Sequence, residues 1–430
     1  MKRKLVLLFL LLVLSSVCVF AKPLEVWLVG WSNEMGQIGQ ALVDDLFTAE
    51  TGIEVDIVPL AWGDYYTKSL LALASRDTPD IFSFGAEIAD FAVRGGLIDL
   101  GAFKPEEYAE LEKKLFSSVM GPFTFEARRF ALPMDVAALV GAYRADILAE
   151  MGMDIPKTWE EIVNAQPKAL ARGKTFAFMN FDELWACYTV MTQHGGQFFN
   201  PDGFSSALDK PESIKGFINY VELFTKHDFP KALAGITPFI SGEQITYVDG
   251  LWTYTNLSMA APQLTGKWKV DMVPGVERDG TLHNGSSAGS VLLGISAYSK
   301  RQEEAWQFLK WFLGSDVLTK VANEILAKSS GYMWLPANKE AMMQVNLPED
   351  IKQVYFNQIE ACVPVPYAIN NLVQYRYIVL AIQKVVLQNE DPKKAILEAA
   401  EEMNRDMNRR KTEYRRLLEE MDRRSAAYNN

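Results

Sequence analysis

The residues of this chain best suited to chemistry are aromatic rings with carboxylates and amides beside them, on loops that follow strands. Trp31, Asn33 and Glu34 follow the largely apolar run Leu24–Val29, and Trp62 follows the alternating residues Ile53, Val55 and Ile57. Asp135 stands in the turn Pro133-Met134-Asp135 before another apolar stretch. Such pairings suit a neutral sugar, which offers flat C–H faces to a plate and a rim of hydroxyls to a carboxylate or amide. They also suit a polyamine or other organic cation, drawn by ring faces and acidic charge. These five residues are candidate ligand contacts by loop position alone. Trp334, in Gly331-Tyr332-Met333-Trp334-Leu335-Pro336, flanks an expected chain crossing and is a candidate for either core or cleft.

Catalytic signatures are weaker. A secreted carbohydrate-active enzyme needs an acid and a base or nucleophile facing one bond; with 54 acidic residues a pair can always be nominated, so abundance decides nothing. His194, His227 and His283 lie far apart without an H-E-x-x-H pattern or a thiol cluster, so no metal site is expected. There is no G-x-x-x-x-G-K-[ST] phosphate loop, and the small polar run 286–290 is not read as a nucleophile elbow. The expectation is a binding protein without a cofactor, with the enzyme as the alternative in another class.

The elements that must position these residues read as α/β. Residues 51–100 run without a gap as strand, tryptophan-bearing turn, helix, strand and helix. Ile53, Val55 and Ile57 alternate with Glu54 and Asp56, while Tyr66, Leu70, Leu73 and Ala74 recur at helical spacing. Leu24–Val29 predicts another strand, and Ile38, Leu42, Leu46 and Ala49 a helix after it. Loops at the carboxyl ends of strands hold ligands in open α/β sheets, which singles out Trp31 and Trp62. Thr158 and Glu161 form a capping box that opens a helix. Trp27, Trp159, Trp268, Trp306 and Trp311 have apolar neighbours in strands or helices and are expected to pack. About 400 residues exceed one core and imply two lobes.

This order resembles the extracellular solute-binding proteins of ABC importers, the family that includes maltose-binding protein, over about residues 24–403. The resemblance implies the two-lobed periplasmic-binding-protein fold of type II, each lobe a mixed sheet flanked by helices, joined by hinge crossings. It places residues 22–132 with 286–331 in an N-terminal lobe and 133–285 with 332–404 in a C-terminal lobe, followed by a charged helical tail, 405–430. It also implies ligand contacts at Phe84 with Glu87, at Glu183 with Trp185, at Trp252 and at Tyr375. Two positions depart from the maltose binders: Ala137 stands where they carry a carboxylate, and Ile88 where they carry a basic ligand-binding residue. The particular sugar therefore does not carry over. The implied role is that of a monomer that closes on a sugar or oligosaccharide and delivers it to ABC permease membrane subunits.

Lys2, Arg3 and Lys4, the apolar residues 5–19, and Val19-Phe20-Ala21 predict a cleaved signal peptide over residues 1–21. The apolar run is shorter than the roughly 20 residues of a spanning helix, and Ser15-Ser16-Val17 is a poor lipobox before Cys18. A periplasmic or extracellular location is expected. Cleavage removes three of 43 basic residues and moves the formal charge from -11 to -14, which disfavours nucleic acid and anionic membranes as partners. Cys187 and Cys362 remain, as one bridge or two buried thiols. In the tail, Met407, Tyr414, Leu418 and Met421 recur at helical intervals: a solvated helix docked by a thin stripe, or a partner-binding tail.

Overall fold

The computed structural model describes residues 22–425 apart from 86, 121–123, 126–127, 233–234, 329–334 and 365–370. The signal segment and Trp334 lie outside the described residues. Two five-stranded mixed sheets organise the chain, one in each lobe.

The first sheet has the order Val55–Leu60, Leu24–Val29, Ile81–Phe84, Leu292–Ile295, Leu132–Pro133. Its first three strands are parallel, with Leu24 opposite Val55 and Val26 opposite Ile81. Leu292–Ile295 runs antiparallel to its neighbours, with Leu292 opposite both Phe84 and Pro133. The strand LEVWLV, flanked by a strand on each side, is almost wholly buried, whereas Val55–Leu60, at the edge, exposes Asp56. That edge strand starts at Val55 rather than Ile53, because the preceding helix reaches Thr51 and is ended by Gly52 in the left-handed region (φ 72°). The Thr51 hydroxyl then accepts from the Ile53 amide at 3.1 Å.

In the second sheet the strand Ala137–Tyr143 is central, antiparallel to Thr246–Gly250, Lys269–Asp271 and Ser287–Gly289. Val363–Pro364 adds to Ser287–Gly289 in parallel. Thr158 opens the helix Trp159–Leu170 with both bonds of the capping box. Phe178 packs on the Trp159 ring at 4.6 Å, and Trp27, Trp306 and Trp311 are also held among core side chains.

Three short passes join the sheets side by side. The Met134 amide donates to the Val291 carbonyl at 2.9 Å, the Val136 amide to the Leu335 carbonyl at 2.9 Å, and the Ala337 amide to the Met134 carbonyl at 3.2 Å. Few residues therefore carry any rotation between the lobes. Beyond the third pass the chain stays beside the first lobe, the Phe116 amide donating to the Ala337 carbonyl at 3.1 Å, before the helix Glu349–Ala361 leads back to the second sheet. Cys187 and Cys362 are both free and buried. The tail is the far part of one helix, Pro392–Ser425. Among the described residues no helix is long and apolar enough to cross a membrane.

Candidate ligand-binding site

Where the sheets meet lies a cavity of about 420 Å³, within the size range of small-molecule sites. The first lobe contributes Trp62, Gly85 and Glu87, and the second Leu184, Trp185, Tyr188, Phe198, Trp252 and Tyr375. The floor is formed by the crossings, Asp135, Ala137 and residues 288–292.

On the first lobe, Trp62 sits on the turn after Val55–Leu60 and is 54% exposed, with its ring 5.5 Å from that of Tyr65 in an edge contact. The buried Tyr65 hydroxyl donates to Oε2 of Glu87. Burial raises the Glu87 carboxyl above the usual range, more than the Tyr65 bond lowers it, and the Asp90 charge raises it further. The carboxyl is therefore harder to ionise than an exposed one, and this wall offers a hydrogen-bonding group at the cleft.

The second lobe supplies ring faces. Trp185 and Tyr188 share a face of the helix Leu184–Gln193, and the Tyr188 hydroxyl is held by Gln197 Oε1 at 2.5 Å and the Pro364 carbonyl at 3.0 Å. Trp252 follows the strand Thr246–Gly250 and lies back over its end. A Cβ on Gly250 would stand 2.4 Å from the Trp252 ring, so that indole needs a bare backbone beneath it, and one on Gly289 would stand a tight 3.0 Å from that of Trp185. The Tyr375 ring lies 6.3 Å from Phe198 and 6.1 Å from Phe199. Its buried hydroxyl has the Asn371 side chain as a neighbour but, among the described residues, no hydrogen bond of good geometry. Burial first, and then the Glu87 charge, push the Tyr375 phenol well up, so these two groups sense each other across the cavity.

The structure thus brings Trp62, Glu87, Asp135, Trp185, Trp252 and Tyr375 together. Asp135 serves the hinge: its Oδ1 accepts from the Val291 amide at 2.6 Å, and its carbonyl from the Ser290 hydroxyl at 2.6 Å. Trp31 is placed elsewhere. Ser32 caps the helix Asn33–Leu42, and the Trp31 indole is buried beneath that helix, 6.4 Å from the Phe312 ring. Asn33 and Glu34 are exposed on the first turn of the same helix, away from the cavity lining. Phe84 is fully buried against Phe91 at 4.7 Å, and Ile88 is likewise core. Glu183 precedes the lining residue Leu184 without lining the cavity, and burial raises its carboxyl.

Tyr65, Leu184, Tyr188 and Phe198 are site residues that the sequence reading misses. Leu184, Trp185 and Tyr188 do carry a signal, the i, i+1, i+4 spacing of one helical face. The run Gly285-Ser286-Ser287-Ala288-Gly289 does have G-x-S-x-G spacing, contrary to that reading. Ser287 nevertheless lies on a strand, fully buried, with its hydroxyl 3.1 Å from the Trp185 carbonyl and 3.2 Å from the Thr189 hydroxyl. This is a packed serine, where a nucleophile elbow would expose one on a strand-to-helix turn.

Known proteins share this architecture. The chain is 25% identical over 391 residues to the galactooligosaccharide-binding protein of Bacillus subtilis (strain 168), covering 87% of this chain and 88% of that one. It is 22% identical over 351 residues to the maltotriose-binding protein of Pyrococcus abyssi (strain GE5 / Orsay), covering 80% and 70%. The structure of the sugar-binding protein MalE from Xanthomonas citri superposes with a TM-score of 0.79 at 18% identity, over 92% of this chain and 99% of that one. The family profile of the bacterial extracellular solute-binding proteins matches residues 30–318, and with two mixed sheets, paired hinge strands and a cleft between them, this chain belongs to that family.

Proposed function

We propose that this protein is the extracytoplasmic binding component of an ABC importer and holds a neutral sugar or short oligosaccharide between its lobes for delivery to the permease. The observation that carries this reading is the set of open indole and phenol faces, Trp62, Trp185, Trp252 and Tyr375, opposite the Glu87 carboxyl. Rings take the C–H faces of a pyranose, while Glu87 takes its hydroxyl rim. The relatives named for galactooligosaccharide and maltotriose binding support the same ligand class. An organic cation fits less well: of the two carboxylates on the cavity, Glu87 already accepts from Tyr65 and Asp135 from the Val291 amide. Contacts made on both lobes would favour the closed arrangement over the open one.

A thermal-shift screen over maltotriose, galactooligosaccharides and spermidine, at low and high salt, tests this. Ligand at 100 times its Kd stabilises by about 2.7 kcal/mol. A sugar should raise the melting temperature independently of salt; a salt-sensitive response to spermidine alone would replace the sugar by a cation.

A further inference from the structure

The long helix Pro392–Ser425 has partners in both lobes. Its first part belongs to the second lobe, where Ala395, Ile396, Ala399, Ala400, Met403 and Met407 are buried in the core. Polar bonds fix it there: the Ser206 amide donates to Asn404 Oδ1 at 2.8 Å, and Gln374 Nε2 to Asp406 Oδ2 at 2.8 Å. Two turns beyond Met407, about 10 Å along the axis, Tyr414 is buried in the core built on the first sheet, 3% exposed. Its hydroxyl lies 3.4 Å from Asp90 Oδ1.

Asp90 is a first-lobe residue on the helix Ile88–Ala92, one turn past Glu87, and is 2% exposed. Tyr66 donates to its other oxygen at 3.3 Å, and the Arg94 guanidinium lies 3.9 Å away. Phe204, on a second-lobe loop, is buried in the same core as Tyr414, with the Lys411 ammonium 5.7 Å from its ring centroid. A helix rooted in one lobe therefore seats a buried ring against the other, behind the wall that carries Glu87.

We propose that residues 408–425 form a clasp between the lobes. Rotation of the lobes about the three hinge passes cannot occur with Tyr414 seated, because its helix is fixed to the second lobe and its hydroxyl partner to the first. Because rotating the lobes apart would break this contact, it raises the population of the arrangement seen here, and by linkage it tightens whatever ligand that arrangement binds. The clasp thus holds the cleft shut in part before ligand arrives and slows ligand release.

The test compares the full chain with a chain ending at Met407, with Tyr414→Ala and with Tyr414→Phe. Alanine keeps the helix, and phenylalanine keeps the ring while removing the hydroxyl. Solution X-ray scattering of the ligand-free proteins should give a larger radius of gyration for the truncated and alanine forms than for the full chain. Maltotriose release by stopped-flow fluorescence, an arm that rests on the sugar reading above, should be about tenfold faster in Tyr414→Ala, the scale of losing one buried aromatic anchor, with a smaller increase in Tyr414→Phe. If maltotriose does not bind, the release arm uses galactooligosaccharides; if neither binds, the sugar reading fails and the scattering still decides the clasp. Identical ligand-free scattering of all forms, whether all open or all closed, would overturn it. Unchanged release with maltotriose bound would do the same.

Discussion

On the first-lobe wall of the cleft, a single half-exposed ring, Trp62, stands on a turn beside a Tyr65–Glu87 pair whose polar atoms already satisfy one another. The second-lobe wall is a continuous aromatic surface, in which Tyr188 packs on Phe198 at 4.6 Å and Phe198 on Tyr375 at 6.3 Å. Core packing fixes the second wall before any ligand arrives, so binding there costs little side-chain entropy. Half-exposed on its turn, Trp62 keeps side-chain freedom that a ligand seated against it would remove. On the proposed function, most ring faces come from one lobe and a hydrogen-bonding carboxyl from the other, and the Glu87 charge reaches the buried Tyr375 phenol between them.

The contrast between cleft rings and core rings can be broken most sharply at Trp31. Trp31→Ala should cost roughly 3–5 kcal/mol of folding stability, the usual range for emptying a buried tryptophan site, yet leave sugar affinity unchanged; chemical denaturation with a parallel titration measures both. Gly250→Ala acts in the opposite sense. Its methyl group would displace the Trp252 indole, reducing affinity by up to about tenfold, while stability is nearly held because alanine also restricts the unfolded chain. Calorimetry on this variant shows whether the bare backbone matters to ligand or only to packing.

The smallest effect concerns the polar wall and is a pH effect. Burial raises the folded Glu87 carboxyl above its unfolded value near 4.5, so the folded state binds more protons than the unfolded one. The stability of the neutral form is therefore fully present below that value and is lost as pH rises through the raised folded value. Glu87→Gln should match the parent in acid and become relatively more stable as pH rises from 4.5 toward neutrality, as thermal melts across that window would show. A parent and variant that differ equally at every pH would mean that Glu87 is not held toward its neutral form.

Much of the frame is legible in the sequence because it rests on local patterns. The run Leu24–Val29, apolar except for Glu25, marks a strand buried on both faces, and Thr158 with Glu161 marks a helix start. The site is legible only in part. Position after a strand identifies the right edge of the sheet for Trp62, but cannot say which way a side chain turns. At Trp31 the Ser32 cap directs the ring under its helix, and at Phe84 the pleat of the strand puts the ring into the core. Tyr188 and Phe198 look like core residues in sequence because they are half core: their outer faces pack while one edge borders the cavity. Nothing local in the charged tail marks Tyr414 as docked to the opposite lobe, since its partner, Asp90, lies 324 residues earlier.

The most direct test of the aromatic-cleft account is calorimetric titration of the parent and Trp252→Ala with the sugar that gives the largest thermal shift, with a denaturation curve for each. Truncating a central aromatic anchor costs about 2 kcal/mol or more of binding energy, so affinity should fall by more than about tenfold while most folding stability is retained. Unchanged affinity accompanied by a large loss of stability would assign Trp252 to the core and contradict the account.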